Sequence, residues 1–101
     1  MNKSTVNKLK KLKALMIKIS RRKEPGYSIT TLDCGTYACV DGWAARAGLT
    51  IKDSAEFLAG FNLTHSQRVH ICWPNNYNAE EYYDPRAAAR HIQQVINGEI
   101  P

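Results

Sequence analysis

Apolar side chains first appear in this chain at helical intervals. Val6, Leu9, Leu12, Met16 and Ile19 recur at three- and four-residue steps, which puts them on one helix face, with Leu15 at its margin and lysines over the rest. Ser4 or Thr5 is suited to cap the start of this helix, and Pro25-Gly26 to end it. Tyr27 to Leu32 is richer in β-branched residues and predicts one short extended segment near residues 27–32. After it the helical signals resume. Asp33 is an N-cap for a helix reaching Ala47, with Gly48 just past its end, and Thr50 with Asp53 opens a helix that stops at Gly60. Thr64 and Gln67 form a capping box for a short helix ended by Pro74. Asp84, followed by Pro85 at the first helical position, opens a last helix that presents Ala88, Ile92, Val95 and Ile96 to the core and closes at Gly98. The pattern predicts an all-α fold: a single compact domain of about five helices.

Length agrees with one domain, since 101 residues support a single modest core. No run of apolar residues is long enough for a membrane span, and residues 1–22 interleave lysines with apolar residues in a way a signal peptide does not. Three cysteines, an odd number, fit free thiols in a reducing compartment. The expectation is a soluble, intracellular protein that makes no use of a membrane.

Charge changes the picture more than composition does. The net charge is +5, yet residues 1–23 carry nine cations and no acid, while all nine acids lie in residues 24–101. The chain therefore divides into a basic amphipathic N-terminal helix, 1–23, and a helical body, 24–101. Two readings of the basic face stay open. It is the solvated side of a helix packed on the core, as charge runs usually are, or a surface that meets nucleic acid through Lys8, Lys10, Lys11, Lys18, Arg21 and Arg22. Its apolar face lacks the Trp or Phe anchors of a membrane-surface helix.

Three segments carry a resemblance. DCGTYACVDGWAARAG from Asp33, LTHSQRVHICWP from Leu63 and DPRAAARHIQQVING from Asp84 resemble a loosely defined group of small phage and bacterial proteins. That group shows a Cys-Gly-Thr-x-x-Cys-x-x-Gly-Trp/His-Ala helix, then Leu-Thr-x-x-Gln-x-x-x-Leu-Phe-x-Pro, then an alanine-containing helix ending in Gly. The match spans residues 33–98 in order, with Ile71-Cys72 in place of the usual Leu-Phe pair and Asp41 where a small residue is common. It implies a helical fold and a phage-related origin and brings no active site with it.

The chemistry-bearing residues do not assemble into a catalytic set. Asp33-Cys34-Gly35-x-Tyr37-x-Cys39 is similar to the nucleophile segment of ubiquitin-like-protein proteases, whose histidine and aspartate lie upstream of the cysteine. Here no histidine precedes Cys34, and the chain is about half the length of such a domain. His65, His70 or His91 would have to reach Cys34 from downstream, without a local signature. Cys34, Cys39, His70 and Cys72 are zinc-ligand types at unusual spacings, and on a helix Cys34 and Cys39 would point about 140° apart. No metal, no cofactor and no catalytic residue is expected. A helix-turn-helix around residues 57–69 would place His65, Ser66 and Arg68 outward, with one strong base reader among them.

Residues 74–83 stand apart. Tyr77, Tyr82 and Tyr83, with Asn75 and Asn76, make this loop the expected partner surface, because tyrosine offers large contact area at small entropic cost. Taken together, the chain reads as a small non-enzymatic phage-type binding protein, a host-takeover or anti-defence factor whose partner is a host protein. The alternative is a nucleic-acid-binding accessory protein that uses the basic helix.

Overall fold

The computed structural model describes residues 2–21, 61–82 and 84–101. Among these are three α-helices, α1 (Lys3–Ser20), α2 (His65–Cys72) and α3 (Pro85–Ile96), two short 3-10 turns at Pro74–Asn76 and Ala79–Glu81, and no strand. The fold is helical. The expected extended segment at 27–32 and the expected helices opened by Asp33 and Thr50 lie outside the described residues.

Helix α1 begins earlier than Ser4 or Thr5 would suggest. Asn2 is its cap, with the Oδ1 accepting the Thr5 amide at 2.8 Å, and Thr5 is itself buried one turn inside. The helix ends at Ser20, ahead of Pro25, where the Ser20 hydroxyl donates to the Ile17 carbonyl at 2.6 Å. Leu9, Leu12, Met16 and Ile19 are all 0% exposed. The basic segment is therefore a packed helix whose apolar stripe belongs to the core.

Among the described elements its principal partner is α3. Asp84 caps that helix by accepting the Arg86 amide at 2.9 Å, and Pro85 fills the first position, where an amide would have had no partner. Ala87, Ala88 and Ala89 are buried in succession, followed by Ile92 and Val95. The three small side chains leave room for the larger apolar residues of α1. At the far end Gly98, at φ +79°, donates to the Val95 carbonyl at 3.1 Å and Glu99 to the Gln94 carbonyl at 3.1 Å, the paired bonds of a Schellman stop. Only a residue without Cβ adopts that φ at little cost.

Helix α2 opens with the expected reciprocal cap. The Thr64 hydroxyl accepts the Gln67 amide at 3.2 Å, and the Gln67 Oε1 accepts the Thr64 amide at 2.9 Å. Asn62, at φ 58°, sets the turn that leads into it, a conformation asparagine tolerates. The C-terminal segment closes over this cap. Thr64 Oγ1 donates to the Pro101 carbonyl at 2.9 Å, and Gln67 Nε2 to the Ile100 carbonyl at 3.2 Å. Phe61, Ile71, Cys72 and Tyr77 complete the described core. No helix among the described residues is long and apolar enough to cross a membrane.

Candidate functional site

Burying one face of α1 decides what the other face can do. At about 100° per residue, Lys3, Lys10, Lys11, Lys18 and Arg21 all fall on the side opposite Leu9, Leu12, Met16 and Ile19, and all five are exposed. Lys8 and Lys13 are half-buried on the two flanks, and the helix contains no acid. The result is a stripe of one sign along about 27 Å of helix, from 18 residues at 1.5 Å each. Of the expected nucleic-acid contacts, Lys10, Lys11, Lys18 and Arg21 lie on this stripe and Lys8 beside it. Arg22 lies outside the described residues.

One flank of the stripe opens into a groove of about 300 Å³ between α1 and α3, lined by Lys13, Ile17, Arg86, Ala89, Arg90 and Gln93. Lys13 Nζ donates to Gln93 Oε1 at 2.7 Å, and Arg86 Nε to Ser20 Oγ at 3.4 Å. Arg90 meets Glu81 at 3.0 Å in an ion pair open to solvent, which contributes little to stability. The Asn78 amide, donating to Glu81 Oε1 at 2.8 Å, is the main cause holding the Glu81 carboxyl below its ordinary range, with Arg90 adding to it. That pair ties the 79–81 turn to the groove's edge.

The tyrosine loop is only partly a surface. Tyr77 is 7% exposed, its hydroxyl donates to the Ile71 carbonyl at 2.5 Å, and its ring lies on that of His91 at 3.8 Å and 7°. Of the residues expected at a partner surface, Tyr77 has its apolar ring and its hydroxyl both engaged within the domain. Asn75 and Asn76 are exposed, with Asn76 Nδ2 donating at 3.1 Å to the Val69 carbonyl, which also accepts the Trp73 amide at 3.0 Å. Tyr82 is half-buried against the core, and Tyr83 lies outside the described residues.

His91 is the member of this cluster that sequence spacing did not reveal. Its other neighbour is the ring of His70, stacked at 4.3 Å and 21°, so three rings run Tyr77, His91, His70 between α2 and α3. His91 Nδ1 donates to the His70 carbonyl at 2.7 Å, which fixes its neutral tautomer, while His70 Nε2 pairs with Gln94 Oε1 at 2.6 Å. Burial, the largest cause, pushes the His91 pKa down, and the hydrogen bond to the His70 carbonyl opposes it only in part. Protonating His91 would put a charge into this part-buried stack. His65 is exposed and meets Trp73 edge to face at 6.3 Å. Ser66 is exposed and Arg68 half-buried, so the outward set expected of a helix-turn-helix is only partly outward.

Cys72 is buried as a free thiol. Cys34 and Cys39, the other members of the weighed zinc set and the protease-like segment, lie outside the described residues. Comparison with protein-family models, with curated proteins and with solved structures finds no match for this chain.

Proposed function

We propose that this chain is a small non-enzymatic binding protein of the phage type, a host-takeover or anti-defence factor that works in the host cytoplasm by engaging a host macromolecule. The surrounding architecture in this proposal is the five-helix all-α domain. The observation that carries the reading is the exposed cationic stripe Lys3, Lys10, Lys11, Lys18 and Arg21, held on a helix whose opposite face is fixed in the core. A packed helix presents its charges with less ordering cost than a free arm, which favours an anionic partner surface. The exposed Asn75 and Asn76 and the half-buried Tyr82 offer a second, polar and aromatic surface to such a partner. The test is an affinity pull-down from host lysate, in parallel with a variant carrying Lys10→Glu, Lys11→Glu, Lys18→Glu and Arg21→Glu. A stoichiometric protein captured by the parent chain and lost from the variant is expected. Recovery of no such protein overturns the reading.

The second reading, a nucleic-acid-binding accessory protein, is favoured by the absence of any acid along α1. Phosphates are met by a single-sign surface without regard to sequence, and such affinity falls steeply with salt. Fluorescence anisotropy with a DNA duplex, from about 50 to about 200 mM salt, distinguishes it: a loss of affinity of about a thousandfold supports phosphate contact, and no binding at the lower salt excludes it.

A further inference from the structure

The groove between α1 and α3 differs from the stripe beside it because its floor is carbon. Ile17 and Ala89 supply that floor, and Lys13, Arg86 and Arg90 stand around it. Two of these cations rest on neutral groups: Lys13 on the Gln93 amide oxygen and Arg86 on the Ser20 hydroxyl. Neither has a carboxylate partner among the described residues. Arg90 is paired with Glu81, yet its side chain is 59% exposed. Two cations with no acidic partner among the described residues therefore flank an apolar surface.

We infer that this groove is the docking site for an acidic segment of a partner protein in which an aliphatic side chain lies between carboxylates. The aliphatic group covers Ile17 and Ala89, and the carboxylates replace the Gln93 and Ser20 oxygens at Lys13 and Arg86. Exchanging a neutral acceptor for a charged one strengthens each hydrogen bond, and Arg86 offers the forked geometry a carboxylate takes in two bonds. A phosphodiester backbone brings the charge but nothing to lay on the carbon floor, so it gains no more here than on the open stripe. About 300 Å³ lies at the small end of ligand sites and suits one or two side chains. The inference rests on the reading of this face as the binding surface and specifies the partner's chemistry.

The test uses the full chain and two fluorescent peptides of equal charge, one alternating Glu with Leu and the other Glu with Ser. The Glu-Leu peptide is expected to bind about tenfold more tightly, with Ile17 and Ala89 methyl resonances shifting during the titration. Lys13→Glu combined with Arg86→Glu, at half-buried and exposed positions, is expected to weaken binding about tenfold or more. Equal binding of the two peptides, unmoved Ile17 and Ala89 methyls, or indifference to the paired charge reversal each overturns the inference. Displacement of the Glu-Leu peptide by a DNA duplex, without any effect of Ile17→Ser, assigns the groove to phosphate instead and also overturns it. Failure of both peptides while the stripe variant still loses its lysate partner removes the groove and leaves the broader reading standing.

Discussion

Leu12→Ala separates a packed α1 from a detachable arm. Leu12 is 0% exposed, in a cluster with Leu9, Met16, Ile92 and Val95. Truncating it removes apolar contact and leaves a cavity that neighbours on two helices fill only in part, at a cost of about 3 kcal/mol. Against a net stability of about 5 to 15 kcal/mol for a domain, that is a large fraction. With a urea slope of about 1.5 kcal/mol/M, the unfolding midpoint should fall by about 2 M, followed by far-ultraviolet circular dichroism. Lys11→Ala, one residue away on the exposed side, is the control and should move the midpoint by no more than about 0.3 M, since exposed substitutions stay within about 0.5 kcal/mol. If the two variants shift the midpoint equally, α1 is not part of the cooperative core and the rigid presentation of its cations fails with it.

Acidification tests the ring stack. The His91 pKa is lowered from 6.5, so between that folded value and 6.5 the unfolded chain binds more protons. Stability should therefore be fully present above 6.5, decline as pH falls toward the folded pKa and level off below it; urea titrations across pH should show this slope, and His91→Gln should flatten it. Tyr77→Phe, which removes the bond to the Ile71 carbonyl, should cost about 1 kcal/mol in the same assay. Thr64→Ala is expected to cost about 1 kcal/mol and to speed amide exchange in the first turn of α2, because one hydroxyl both caps the helix and holds the C-terminal segment. Gly98→Ala should cost about 1 kcal/mol from backbone alone, since an added Cβ there meets nothing within 4 Å; a neutral result in thermal unfolding refutes the left-handed stop.

What local signals control was legible in the chain. Thr64 with Gln67, Asp84 before Pro85, and Gly98 each act within a few residues, and the structure realises all three as caps. The apolar face of α1 was legible too, shifted so that Thr5 is buried and Val6 only half-buried. Its start was not, because Asn2, Ser4 and Thr5 are all good cap residues and composition does not rank them. The burial of Tyr77 was not legible for a different reason: a loop rich in Asn and Tyr suggests surface, while the ring packs on His91, which approaches from another helix. The groove is built from residues at the edges of two apolar stripes, Lys13 and Ile17 on one helix and Arg86 to Gln93 on another. Each residue taken alone looks like an ordinary boundary position.

The pairing of α1 with α3 also constrains how the molecule is made. The bond from Lys13 to Gln93 spans 80 residues, so α1 waits for a partner helix synthesised well after it. During translation α1 carries an uncovered apolar stripe and a row of cations past the acidic surroundings of a ribosome, without the contacts that later hold it. Long-range closure of this kind slows folding and lengthens exposure to aggregation. Refolding should accordingly begin in α2 and α3, with α1 docking last.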